Sequence, residues 1–173
     1  MFGSTLFSKH VFALCISIGM IVTMFCIGKR LFQQVWAGVG LSVLWMAQSM
    51  FFVQSAMLLP EVMVALFTLL SIYAFSLQRW WSLALWLSLL LLTKESGLVV
   101  WGGIGLTGLV MSWQSRDLAY FKKMVMSMMV PFAVIVAFFA YQYAVYGWVF
   151  FPEHVGMMKL SISSVEQTLN SIV

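Results

Sequence analysis

The sequence predicts an all-α membrane protein with about six transmembrane helices, and three observations carry that prediction. Of 173 residues, 63% are hydrophobic and 8% charged, with a mean hydropathy of +1.02, whereas soluble domains carry about 45–50% apolar and about 25% charged residues. The apolar residues arrive in long blocks, not in the period-two alternation of a membrane β-barrel strand. The nine Lys and Arg stand as singles and pairs at the ends of those blocks. Membrane orientation puts them there; a nucleic-acid surface is not built that way.

The first helix is expected over residues 11–27, stopping at the basic edge Gly28, Lys29 and Arg30. No charged start with a small-residue cleavage site precedes it, so it would serve as its own insertion signal. Cys15 and Cys26 fall on this helix about 16 Å apart, too far for a disulfide, and both read as small packing residues. The second helix is expected over 35–53, with Gly38 and Ser42 placed for close helix contact. The segment SAMLLPE follows, and Pro60 suits the first turn of a third helix over 61–77.

Trp80 and Trp81 then read as interfacial aromatics opening a fourth helix over 80–92. Those 13 apolar residues span about 20 Å against a hydrocarbon core of about 30 Å. The segment TKESG at 93–97 is therefore expected to begin inside the membrane boundary, with Lys94 and Glu95 at depth. A fifth helix over 98–113 carries Gly102, Gly103, Gly105 and Gly108 and is expected to be buried among its neighbours. The segment QSRDLAYFKK at 114–123 reads as the longest polar loop, before a sixth helix over 124–146 with a kink at Pro131. Residues 1–147 are thus a polytopic transmembrane domain. Residues 148–173 form a periplasmic or interfacial tail, too polar to span and too short to make a domain.

Counting Lys and Arg on alternate loops sets the orientation. Lys29, Arg30, Arg79, Arg116, Lys122 and Lys123 fall on one side, and Lys9, Lys94 and Lys159 on the other. Basic residues near short loops stay cytoplasmic. Both termini, SAMLLPE, TKESG and FPEH are therefore expected on the periplasmic face of a bacterial inner membrane.

That face gathers Glu61, Lys94, Glu95, Glu153 and His154. A charge near membrane depth costs on the order of 2.5–3.5 kcal/mol, which argues against idle charges at Lys94 and Glu95. Two accounts fit TKESG. Either it is an interfacial loop whose charges reach water and whose turn Gly97 eases, or Lys94 offers a cation to a phosphate while Glu95 orients it or binds a sugar hydroxyl. Glu61 either complements the start of its helix or takes part in binding substrate or metal. Glu153 and His154 are adjacent and point apart on any regular element, so a solvated loop accounts for them. They would hold a divalent metal only with ligands from elsewhere. The sequence has no His and Cys cluster, no phosphate-binding glycine loop and no nucleophile elbow.

At these residues the chain resembles the polytopic GT-C glycosyltransferases of the protein mannosyltransferase and aminoarabinose transferase superfamily. The resemblance runs in order through IGKRLF at 27–32, FVQSAMLLPE at 52–61, LLTKESG at 91–97 and YGWVFFPEH at 146–154. It implies a partial GT-C-like membrane domain that moves a sugar from a polyprenyl-phosphate carrier to an acceptor on the periplasmic face. By the same resemblance Lys94 would help bind the carrier phosphate with Glu95 beside it in the lipid-phosphate site, Glu61 would line the same cavity and the FPEH tail would belong to a loop capping it. Family members carry the catalytic acid in a large first external loop, ahead of the helix that corresponds to residues 11–27. The chain is therefore expected to be an internal stretch of such an enzyme, inactive alone. A carboxylate would act as general base, from that loop, from a partner chain supplying it, or from Glu61 as the candidate inside this chain.

Two other classes compete. A small transporter subunit would use Lys94 and Glu95 as an intramembrane ion pair, but it should show paired broken helices and only one short helix is evident. A non-catalytic scaffold would use the glycine-rich fifth helix as its docking surface.

Overall fold

The computed structural model describes residues 6–49, 51, 53 and 60–147. Those residues contain six helices and no strand: α1 (Leu6–Phe32), α2 (Val35–Met46), α3 (Pro60–Ser76), α4 (Trp80–Thr93), α5 (Gly97–Ser115) and α6 (Leu118–Tyr146). Backbone proximity divides the chain into residues 1–133 and 134–173. The first unit holds α1 to α5 and the opening of α6, and the described part of the second is the remainder of α6.

Three stretches are long and apolar enough to cross a membrane: Ser8–Phe32, Gly97–Ser115 and Leu118–Tyr146. The 12, 17 and 14 residues of α2, α3 and α4 reach roughly 18, 26 and 21 Å, short of a hydrocarbon core of about 30 Å.

Helix α1 does not stop at Gly28. It runs on to Phe32 with Lys29 and Arg30 in its last turn, where cations complement the carbonyl end of a helix. The basic pair marks the end of the apolar block, and the helix ends instead at Gln33, whose φ of 55° leaves the right-handed helical region. Gly28 serves packing: a Cβ there would lie 2.8 Å from Leu41 and 2.9 Å from the Ala37 carbonyl. Gly38 and Ser42 meet α1 in the same seam. A Cβ at Gly38 would stand 2.6 Å from the Phe25 carbonyl, and Ser42 Oγ donates to Ile21 O at 3.2 Å.

The expected helix over 35–53 is broken. Helix α2 ends at Met46, and the Gln48 N–H reaches only to Trp45 O, a tightening that takes the chain out of the α-helical ladder. The expected loop at 114–123 shrinks to Arg116 and Asp117. Helix α5 extends to Ser115, and α6 begins at Leu118, where Asp117 Oδ1 accepts the N–H groups of Ala119 at 2.8 Å and Tyr120 at 3.2 Å. This is a side-chain cap, and it lets a polar stretch start a helix. Helix α6 continues through Pro131, which is fully buried.

The core is built around α4, not α5. Leu83, Leu87 and Leu90 recur at helical spacing and are fully buried, against Phe67 and Ala74 of α3, Ile104 of α5 and Met124 and Met128 of α6. A second cluster joins Met20 of α1, Phe51, and Val62 and Leu66 of α3. The expectation that the glycine-rich helix is buried among its neighbours is met along one stripe alone. Only the stripe Gly97, Ile104, Gly108 and Ser112 is buried, and Gly102 and Gly103 face open space. Glycine permits close approach without specifying which face approaches. Cys15, expected to pack, is exposed on α1.

Three of the buried hydroxyls bond within their own helices. Ser17, Ser71 and Ser88 donate to the carbonyls of Ala13, Phe67 and Ala84, at 2.7 to 2.8 Å. Such back-bonding lets serine sit in an apolar interior without a partner helix.

Candidate functional site

Helix α4 ends in a polar turn. Lys94 leaves the helix with extended backbone, φ −159° and ψ 144°. The N–H groups of Gly97, Leu98 and Val99 then donate to the carbonyls of Lys94, Glu95 and Ser96. The turn is this tight because Gly97 lies directly against α4, where a Cβ would fall 2.9 Å from Leu90 Cγ and 3.0 Å from Leu90 O.

Helix α3 opens at the same end of the bundle. Pro60 occupies a position whose N–H would have no helical acceptor, and Glu61 lies in the first turn, where the helix dipole favours a carboxylate. Across the gap Lys94 Nζ donates to Glu61 Oε1 at 2.8 Å, joining residues 33 positions apart in the chain. The side chains are 47% and 43% exposed. A half-exposed pair stabilises a fold only slightly, and the contact holds the ammonium beside the Glu61 carboxylate. One of its three hydrogens is engaged by Glu61, leaving donors for an incoming anion.

Of the residues singled out from sequence, Glu61 and Lys94 thus meet. Glu95 is exposed and forms no ion pair among the described residues. Glu153 and His154 lie outside the described residues. Among the described residues no three of His, Cys, Asp and Glu come together as a metal would require. Lys94 and Glu95 are exposed at the surface of the chain, not packed in its interior.

The opposite end of the first unit carries features not anticipated from sequence. Arg30 Nη2 donates to Ser76 O at 3.3 Å, and the Trp80 and Tyr120 rings meet edge to face at 5.1 Å. These contacts bring the ends of α1 and α3 and the starts of α4 and α6 to one side. Trp36, Trp81 and Trp113, the three most exposed tryptophans described, are 82%, 83% and 86% exposed, and all stand within the first or last turn at this end. Beside them Arg79 and Lys123 flank a cleft between α4 and α6. The signal in sequence was the run Arg79-Trp80-Trp81, which reads as an anchor but does not disclose its partner on another helix.

No family model, curated protein or solved structure matches the chain.

Proposed function

We propose that this chain is a glycosyltransferase-type membrane domain that binds a polyprenyl-phosphate sugar donor at the end of the bundle bearing Glu61, Lys94 and Glu95. The observation that carries the reading is the 2.8 Å contact between Lys94 and Glu61, which holds a cation with spare donors at a half-exposed position. In sugar transfer an acceptor hydroxyl attacks the anomeric carbon, the bond to the carrier phosphate breaks, and negative charge grows on the departing phosphate. Lys94 stabilises that charge. Glu61, already engaged by the ammonium, orients Lys94, and Glu95 is free for a sugar hydroxyl. The general base lies outside the described residues or in a partner chain, and Glu153 and His154 would add ligands if a divalent metal takes part.

The six helices cross a bacterial inner membrane in this reading, the short ones within a locally thinned bilayer or sheltered by their longer neighbours. The basic end, with Lys29, Arg30, Arg79, Arg116, Lys122 and Lys123, faces the cytoplasm, and the Lys94 end faces the periplasm. The three exposed tryptophans support a basic end at headgroup level, where such rings are favoured on either face; the side rests on the Lys and Arg count alone.

The test is binding of a polyprenyl phosphate to the purified chain in phosphatidylcholine nanodiscs, with the uncharged polyprenol as reference. Wild type should prefer the phosphate, and Lys94→Ala should weaken its binding by roughly tenfold or more, the loss expected for a hydrogen bond to a charged group. Equal affinity for phosphate and alcohol, or an unchanged Lys94→Ala, would remove the site.

A further inference from the structure

A cleft of about 530 Å³ opens at the basic end, lined by Arg79, Trp80, Trp81 and Ala84 of the α3–α4 turn and α4, and by Lys123, Met126 and Val130 of α6. It lies at the far end of α4 from Lys94. Its chemistry is graded along its length. Arg79 and Lys123 stand at the rim, and Met126 and Val130 continue the same face of α6 inward at helical spacing from Lys123. Neither cation has an ion-pair partner among the described residues. Helix α4 starts here with Arg79 at its cap position, and a guanidinium has no acceptor with which to cap the opening N–H groups. Trp81 is 83% exposed beside them.

Two unpaired cations, uncapped helix donors and an apolar floor leading away from them match an anion with a hydrocarbon tail. We propose that this cleft binds an anionic phospholipid, its phosphate between Arg79 and Lys123 at the start of α4 and its acyl chain along Ala84, Met126 and Val130. A free phosphate would satisfy the cations and leave the apolar floor empty; a zwitterionic lipid would fill the floor and bring its own cation against Arg79 and Lys123. The site depends on the chain lying in a membrane and does not depend on sugar transfer.

The experiment uses the full chain in phosphatidylcholine nanodiscs doped with phosphatidylglycerol that carries a photoreactive diazirine on its acyl chain, with labelled peptides mapped by mass spectrometry. Labelling should concentrate in residues 79–84 and 123–130, exceed that from a phosphatidylcholine probe, and fall by about tenfold in Arg79→Gln/Lys123→Gln. Lys29→Gln/Lys122→Gln removes the same charge at the same end outside the cleft and should leave labelling unchanged, as should Lys94→Ala. Millimolar inorganic phosphate should not displace the probe. Equal labelling by the two lipids, equal loss in both double variants, or displacement by inorganic phosphate would each overturn the proposal.

Discussion

Replacing Gly97 by Ala tests the packing of α5 against α4 beside the Lys94 turn. The added methyl would meet Leu90 at 2.9 Å from Cγ, 3.0 Å from O and 3.2 Å from C, where ordinary contact begins at 3.4 Å. Two of those atoms are backbone of the buried helix α4, so no rotamer change relieves the clash, and α4 and α5 must part by about 0.5 Å at this point. Overpacking of this kind costs about 1–3 kcal/mol. Gly102 and Gly103, on the same helix, have nothing within 4 Å, so alanine there meets no obstacle and gains about 0.8–1 kcal/mol of helix propensity. Thermal unfolding of the purified chain in one detergent, followed by near-ultraviolet circular dichroism of its tryptophans, should therefore move in opposite directions. At about 2–4 °C per kcal/mol for a chain of this size, Gly97→Ala should lower the midpoint by roughly 3–10 °C and Gly102→Ala should raise it by about 2–4 °C. A Gly97→Ala protein as stable as wild type, or two shifts of the same sign, would refute the packing argument.

Other substitutions probe separate features by the same unfolding assay. Asp117→Ala removes the acceptor for the Ala119 and Tyr120 N–H groups and should cost about 1 kcal/mol, with Asp117→Asn retaining most of the stability. Trp45 Nε1 is buried without a hydrogen-bond partner among the described residues; Trp45→Phe should cost nothing or stabilise by up to about 1 kcal/mol, and a clear loss would reveal an acceptor. Ser71 is fully buried, but its hydroxyl serves only its own helix, so Ser71→Ala should stay within about 0.5 kcal/mol of wild type.

The helical class was legible because it rests on summed composition, which no local detail overturns. Helices α3 and α4 were also legible nearly to the residue, since Pro60, Gln78-Arg79 and the polar TKES run punctuate them unambiguously. The length of α1 was not, because hydropathy falls at Lys29 while backbone hydrogen bonding continues to Phe32. Nor could the backbone conformation of the turns be read from residue type. The non-glycine left-handed positions are Gln33, Gln78 and Arg116, side chains with no preference for that region. At the site, the alternation of helices placed Glu61 and Lys94 on one face, whereas their direct contact, across 33 positions of chain, is a property of how α3 and α4 pack. The cleft at Arg79 and Lys123 joins residues 44 positions apart on two helices, and neither residue differs in sequence from an ordinary membrane-edge cation.

Those three left-handed residues also bear on how far the helices can part. They stand in the turns 33–34, 77–79 and 116–117, which join α1 to α2, α3 to α4 and α5 to α6 with two or three residues each. Connections that short span at most about 10–14 Å even when fully extended. The end of one helix and the start of the next therefore stay side by side in any arrangement the chain adopts, and each pair moves as a tethered hairpin. Lengthening any one of these turns with a flexible insert would let its two helices separate.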